Sequence, residues 1–106
     1  MKILEKKGKN DSFIIVAEDY VGSGWIDLFY KAIISKISPK NIERIEIESS
    51  WNFSEFEILF EKNNLKIKVE IDDLGPVAFV LKTDINENSK QSLRDWVTIV
   101  LNEVKT

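Results

Sequence analysis

The chain has 106 residues, 43% of them hydrophobic and 31% charged, and a net charge of −3. This length fits one globular domain with a single core, spanning residues 1–106, and the composition excludes a disordered chain. The sequence contains neither cysteine nor histidine, which excludes disulfides, thiolate chemistry and the commonest general base near neutral pH.

The first forty residues predict strand structure followed by a helix. The continuous apolar run over residues 13–17 is typical of a strand buried on both faces, and a short strand is expected before it. Apolar residues then recur at helical spacing over residues 25–37. We expect Ser23 to cap the N-terminus of this helix, and Ser38, which precedes a proline, to end it.

Four strands follow, and the middle two can be placed in register. Residues 55–61 and 65–72 alternate between apolar and charged side chains around Asn63-Asn64, a pair that tolerates the positive φ of a two-residue hairpin turn. With Lys62 opposite Leu65, every inward-facing pair is apolar. These pairs are Phe60–Ile67, Ile58–Val69 and Phe56–Ile71. Residues 44–48 and 77–82 complete the four strands.

A second helix ends the chain. Residues 88–91 match a capping box with Asn88 as the cap and Gln91 at the third helical position. Apolar residues then recur at helical spacing from Leu93 to Val104, which gives the helix one apolar stripe for a sheet to cover. The predicted fold class is therefore α+β: a two-layer domain with a mainly antiparallel sheet of four to six strands and two helices packed on one face.

The opposite face of the sheet is predicted to be acidic, because residues 41–73 carry nine acidic side chains against four basic ones. A turn over residues 49–52 would align the preceding strand with the hairpin. The expected cross-strand rows are Glu46–Glu55–Asp72 and Arg44–Glu57–Glu70. Like charges directly opposite each other destabilise a sheet, by up to about 1 kcal/mol. The rows therefore indicate a surface for a basic partner, the alternative being an ordinary solvated face.

Two aromatic residues lie beside these rows, where a large side chain is hard to bury. Trp51 and Phe53 are interpreted as anchors of a protein-binding surface, the alternative for Trp51 being that it folds back onto the core. The predicted partner-binding residues are Glu46, Glu48, Trp51, Phe53, Glu55, Glu57, Glu70 and Asp72. Charge reversal at Glu57 and Glu70 is expected to weaken the complex.

No catalytic or nucleotide-binding motif is present in the sequence, and Gly22-Ser23-Gly24 without a following Lys-Ser/Thr is a weak signal for phosphate binding. Glu55, Asp72 and Asp73 could hold a divalent ion or perform acid–base chemistry only inside a pocket. We expect no catalytic residue, no metal and no cofactor, and hence no enzyme. Acidic rows disfavour nucleic acid as a partner, and no apolar run is long enough for a membrane span.

At the level of a class, the chain resembles the small bacterial immunity proteins of contact-dependent growth inhibition and polymorphic toxin systems. It shares with them one short acidic α/β domain without cysteine, acidic rows (Glu46, Glu55, Asp72; Glu57, Glu70) and neighbouring aromatics (Trp51, Phe53). The resemblance implies an inhibitor of a toxin, often a nuclease with a basic surface. The charges within residues 1–10 and the lack of a long apolar run predict a cytoplasmic protein.

Two alternatives stay open at this point. The first is a structural or adaptor domain that forms a homo-oligomer through an edge strand such as residues 77–82, or through the sheet face. The second is a small enzyme or ligand-binding domain that uses Glu55, Asp72 and Asp73.

Overall fold

The computed structural model describes residues 2–48 and 54–105, with the side chain of Glu48 left out. The strands are β1 (Ile3–Lys7), β2 (Phe13–Val21), β3 (Asn41–Glu48), β4 (Ser54–Lys62), β5 (Leu65–Asp72) and β6 (Pro76–Leu81). The helices are α1 (Ile26–Ala32), which continues as a π-helical turn over Ile33–Ile37, and α2 (Glu87–Lys105). Short 3₁₀ turns over Lys9–Asp11 and Ser23–Trp25 precede β2 and α1.

The six strands form one antiparallel sheet in the order β1-β2-β6-β5-β4-β3. Buried residues of both helices join the inward residues of the strands in a single core on one face, so the α+β prediction is confirmed. The expectation that residues 77–82 supply an edge strand is wrong, because β6 pairs with β5 on one side and with β2 on the other. The edges of the sheet are β1 and β3.

The β4–β5 hairpin has the predicted register. Lys62 lies opposite Leu65, and the apolar pairs beyond it follow as expected. Asn63 and Asn64 have φ angles of 52° and 63°, the left-handed conformation that suits the twist of a two-residue hairpin. The alternation therefore places one apolar row in the core, where Ile58 is fully buried.

The C-terminal helix has the predicted buried stripe but a different start. Leu93, Trp96 and Val97 are buried in the core. The cap is Asn86, whose Oδ1 accepts the N–H of Ser89 at 2.9 Å, while the Ser89 hydroxyl accepts the N–H of Asn86 at 2.9 Å. The predicted cap at Asn88 is wrong by two residues, because the short side chain of Ser89 closes the reciprocal pair instead of a glutamine.

The first helix also begins differently from the prediction. Ser23 does not cap it, since its hydroxyl donates to the carboxylate of Asp73 in the turn after β5. The predicted end is confirmed, because Ser38 adopts a left-handed conformation (φ 54°, ψ 60°) directly before Pro39. The long-range contact of Ser23 ties the entry to α1 to the end of the β4–β5 hairpin.

The edge strand β1 is held to α2 by one bidentate ion pair. The Nε of Arg94 donates to Glu5 at 2.7 Å and its Nη2 donates at 3.1 Å. The hydrogen bond from Arg94 lowers the pKa of Glu5. A carboxylate with a lowered folded pKa stabilises the fold above its unfolded pKa, and this contribution is lost as the pH falls through the folded pKa.

Replacing Glu5 by glutamine is therefore expected to lower the free energy of unfolding at neutral pH but not in strong acid. The gap between the wild type and Glu5→Gln should close as the pH falls below the ordinary range of a glutamate, because both side chains are then neutral. Urea unfolding of both proteins across the acid range measures the gap. A gap that is independent of pH would show that the ion pair contributes nothing.

Candidate partner-binding face of the sheet

The face of the sheet that the helices leave open is acidic over β3, β4 and β5. Alternation along these strands points every second residue away from the core. The outward residues are Asn41, Glu43, Ile45, Ile47, Glu55, Glu57, Leu59, Glu61, Lys66, Lys68, Glu70 and Asp72. Six carboxylates against two lysines give this region, here called the acidic face, a formal charge of −4.

The predicted register between β3 and β4 is wrong by one residue. Glu46 was expected opposite Glu55 and Arg44 opposite Glu57, whereas Ile47 faces Glu55 and Ile45 faces Glu57. A shift of one residue turns every side chain of a strand to the other face of the sheet. The observed register packs Ile42 against the core, which the predicted register would have turned outward.

Arg44 and Glu46 therefore lie on the helix side of the sheet. The Nη1 of Arg44 donates to the Oδ1 of Asp27 on α1 at 2.5 Å. Its guanidinium also lies 5.7 Å from the ring centre of Tyr30 and 6.0 Å from that of Phe56, within the range of a cation–π contact. These contacts explain why the register differs from the predicted one. The sequence of β3 shows that alternate residues share a face, but contacts with α1 determine which set lies on the helix side.

The predicted partner-binding residues separate into three groups. Glu55, Glu57, Glu70 and Asp72 lie together on the acidic face, with Glu57 opposite Glu70 and Glu55 opposite Asp72 as expected. Glu46 lies on the other side of the sheet. Trp51, Phe53 and the side chain of Glu48 fall outside the described residues.

A lysine bridges the central pair of glutamates and offsets one of their two charges. The Nζ of Lys68 lies 3.6 Å from a carboxylate oxygen of Glu57 and 3.2 Å from one of Glu70. Burial disfavours the charged form of Lys68, but the carboxylates of Glu70 and Glu57 favour it, and the pKa of Lys68 is raised. The nearby ammonium of Lys68 in turn lowers the pKa of Lys82. The repulsion expected between Glu57 and Glu70 is thus partly relieved within the chain.

Two aspartates at the end of β5, Asp72 and Asp73, bond mainly to backbone groups. The Oδ1 of Asp72 accepts the N–H groups of Leu74 at 2.9 Å and Gly75 at 2.7 Å, which closes the turn. Asp73 accepts the N–H of Ser54 at 2.7 Å, and its bond from the Ser23 hydroxyl is the main cause of its lowered pKa. Among residues 2–48 and 54–105, no group of three acidic side chains is arranged to hold a metal ion.

The acidic face also carries an apolar groove that the sequence analysis missed. The groove has a volume of about 740 Å³, and Leu59 and Val80 form part of its apolar lining. Its charged lining is two glutamates and three lysines: Glu43, Glu61, Lys66, Lys68 and Lys82. Val80 is only 4% exposed although neither α1 nor α2 packs on this side. Lys9 and Asn10 of the turn before β2 line a second cavity with Val80, together with Lys68 and Lys82. The sequence did contain a signal for this groove, because Leu59 on β4 and Val80 on β6 are apolar residues at outward positions.

Other carboxylates of the acidic face keep their charge unmatched. Within the described part of the chain, neither Glu43 nor Glu55 forms an ion pair, whereas Glu61 lies 3.9 Å from Lys40. Glu43 on β3 and Glu55 on β4 lie at different points along the β3–β4 pair, so their negative potential extends over this part of the sheet. The arrangement suits recognition of a positively charged surface with an apolar protrusion.

Comparisons of the chain with protein-family models, with curated proteins and with solved structures find no match. Among the described residues, no helix is both long and apolar enough to cross a membrane.

Proposed function

We propose that this chain is a protein-binding inhibitor, an immunity protein that neutralises a cognate toxin by binding it through the acidic face. One observation carries the proposal: the helices leave uncovered a sheet face of formal charge −4 over β3, β4 and β5, and an apolar groove lies beside its carboxylates. Protein interfaces combine an apolar centre with a polar rim. A face with both features suits a partner that presents an apolar side chain to the groove and basic side chains to the neighbouring carboxylates.

The charges of the acidic face support a basic partner in particular. Carboxylates without a partner of their own attract an opposite surface during diffusional encounter and discriminate against acidic proteins. A toxin that acts on nucleic acid has such a basic surface, because it must bind phosphates. An inhibitor that occupies this surface in the cytoplasm would block the toxin without any chemistry of its own.

The contacts of the carboxylates on and beside the acidic face favour a binding function over a catalytic one. Glu57 and Glu70 contact Lys68, and Asp72 and Asp73 accept backbone N–H groups. A general acid or base needs a free lone pair or proton near a substrate in a site that excludes water. Glu43 and Glu55 stand on an open strand pair, where complementing a partner's charge is the role that their position supports.

Reversing the unmatched charges is expected to weaken binding of the toxin about 10- to 100-fold, mainly through slower association. The variant is Glu43→Lys/Glu55→Lys, and its control is Glu87→Lys/Asp95→Lys, which changes the net charge equally on α2. The control also removes the exposed contacts of Glu87 with Lys90 and of Asp95 with Gln91, so its free energy of unfolding is measured as well. Each immobilised protein is incubated with a lysate of the native cell, and captured proteins are identified and expressed alone. Surface plasmon resonance at several salt concentrations then measures the association rates.

The proposal requires that a captured basic protein arrests growth when expressed alone and that the wild-type chain restores growth. The acidic-face variant should fail to restore growth, whereas the α2 variant should succeed. Equal rescue by both variants, or a captured protein that does not impair growth, would rule the proposal out. Reversal at Glu57 or Glu70 is a poorer test, because it also breaks the ion pairs with Lys68.

A further inference from the structure

The free edge of β3 is long and regular. All eight residues of Asn41–Glu48 pair with β4 without a bulge, and β3 is the last strand of the sheet. An edge strand presents every second pair of backbone N–H and C=O groups outward, where another strand can bind them. The opposite edge, β1, has five residues, and its Glu5 is bound to Arg94.

The side chains of β3 are complementary to a second copy of themselves. In an antiparallel pair formed across a twofold axis, opposite residues lie on the same face of the sheet. With Ile45 opposite Ile45 of the second copy, Arg44 stands opposite Glu46 of that copy, and Glu46 stands opposite its Arg44. An axis at Glu43, Arg44 or Glu46 would place identical charges opposite each other, and an axis at Ile47 would set Glu46 against Glu48.

The groups that would meet at this edge are available. Within the described part of the chain, Glu46 has no ion pair, and Arg44 makes one hydrogen bond, to Asp27. A guanidinium has five N–H donors, so Arg44 can donate to a second carboxylate without losing its bond to Asp27. Ile45 is only half-buried and would gain apolar contact with its copy. Charged residues protect many edge strands from pairing, but alternating signs that match in one register favour it.

We propose that the protein forms a homodimer through antiparallel pairing of β3 with β3 of a second copy, centred on Ile45. The two sheets then make one continuous twelve-stranded sheet. The twofold axis is perpendicular to the sheet, so both acidic faces lie on the same side. This inference depends on the free edge of β3 and on the charges of Arg44 and Glu46. It is independent of the proposed toxin binding.

A single cysteine tests the register, because the chain has none of its own. In Ile45→Cys, the two substituted residues are directly opposite, with Cα atoms about 4.5–5.5 Å apart, a distance that a disulfide spans. Mild oxidation should give a covalent species of twice the 12.3 kDa chain mass. In the control Ile47→Cys, the two cysteines are offset by four residues, about 13 Å, and should not cross-link.

Charge reversal gives a second test that does not depend on oxidation. Glu46→Arg and Arg44→Glu should each be monomeric, because each sets like charges opposite each other. An equimolar mixture should form a heterodimer, in which every opposite pair is again of unlike sign. Sedimentation equilibrium at roughly 0.5 mM, suited to a small interface, measures the masses.

A wild type that is monomeric at this concentration, or cross-linking of Ile47→Cys as fast as Ile45→Cys, would overturn the proposal. If Arg44→Glu does not fold, Glu46→Arg is introduced into Ile45→Cys, where it should slow cross-linking at least tenfold. Unchanged cross-linking in that double variant would also overturn it. Toxin binding plays no part in these measurements, so failure here leaves the proposed function standing, and the reverse also holds.

Discussion

Replacing Phe79 by alanine is expected to lower the free energy of unfolding by about 3–5 kcal/mol. Phe79 is 1% exposed and lies on β6, in the middle of the sheet. Its ring centre is 6.0 Å from that of Phe29 on α1, so it joins the helix layer to the strands. Truncation would leave a cavity that neighbours on both layers cannot close, because β6 is paired on both sides.

Urea unfolding followed by circular dichroism measures this loss. A domain of this size has a total stability of about 5–15 kcal/mol, so the variant should be close to unfolding at 37 °C. The matched control is Leu74→Ala, since Leu74 is 81% exposed in the turn before β6 and should change the free energy of unfolding by less than about 0.5 kcal/mol. A loss below about 1 kcal/mol for Phe79→Ala would contradict the central position of β6.

Replacing Lys68 by methionine is expected to lower the free energy of unfolding by about 2 kcal/mol at neutral pH. Lys68 and Glu57 are 20% and 19% exposed, and Glu70 is 40% exposed. Removing one partner of a fully buried ion pair costs about 3–5 kcal/mol, and partial exposure reduces that figure. The cost arises because Glu57 and Glu70 face each other directly across the strands, and methionine cannot neutralise them.

Two further variants separate the charge from the packing of Lys68. Adding Glu57→Gln and Glu70→Gln to Lys68→Met should restore most of the lost stability, because amides do not repel each other. Lys66→Met, two residues away on the same strand and exposed, should change stability by less than about 0.5 kcal/mol. If the triple variant is as unstable as Lys68→Met, packing of the lysine stem and not its charge is what matters.

The β4–β5 hairpin could be predicted because its information is local. The apolar alternation fixed the buried face, and Asn63-Asn64 fixed the turn. The β3–β4 register could not be predicted in the same way, because the sequence of residues 49–53 contains no turn motif that sets the length of the connection. The choice between the two registers depends on Arg44 meeting Asp27 and Tyr30 of α1, and those contacts are distant in the sequence.

The acidic character of the face was predictable from composition, but its members were not. Glu55, Glu57, Glu70 and Asp72 were placed correctly because they belong to the hairpin. Glu46 was assigned to the wrong face because the register of β3 was wrong by one residue. The groove over Leu59 and Val80 was not predicted. The groove exists because distant strands meet, so only the strand order reveals it.

The position of β6 also determines when the sheet can be completed. The chain builds two local pieces, the β1–β2 hairpin and the meander from β3 to β6, and only the pairing of β2 with β6 joins them. Residues 76–81 leave the ribosome after every other strand, so β2 and β5 keep unpaired edges until then. Folding should therefore be completed late and limited by this long-range closure. Nascent chains that stall before residue 76 should be recognised by chaperones or degraded.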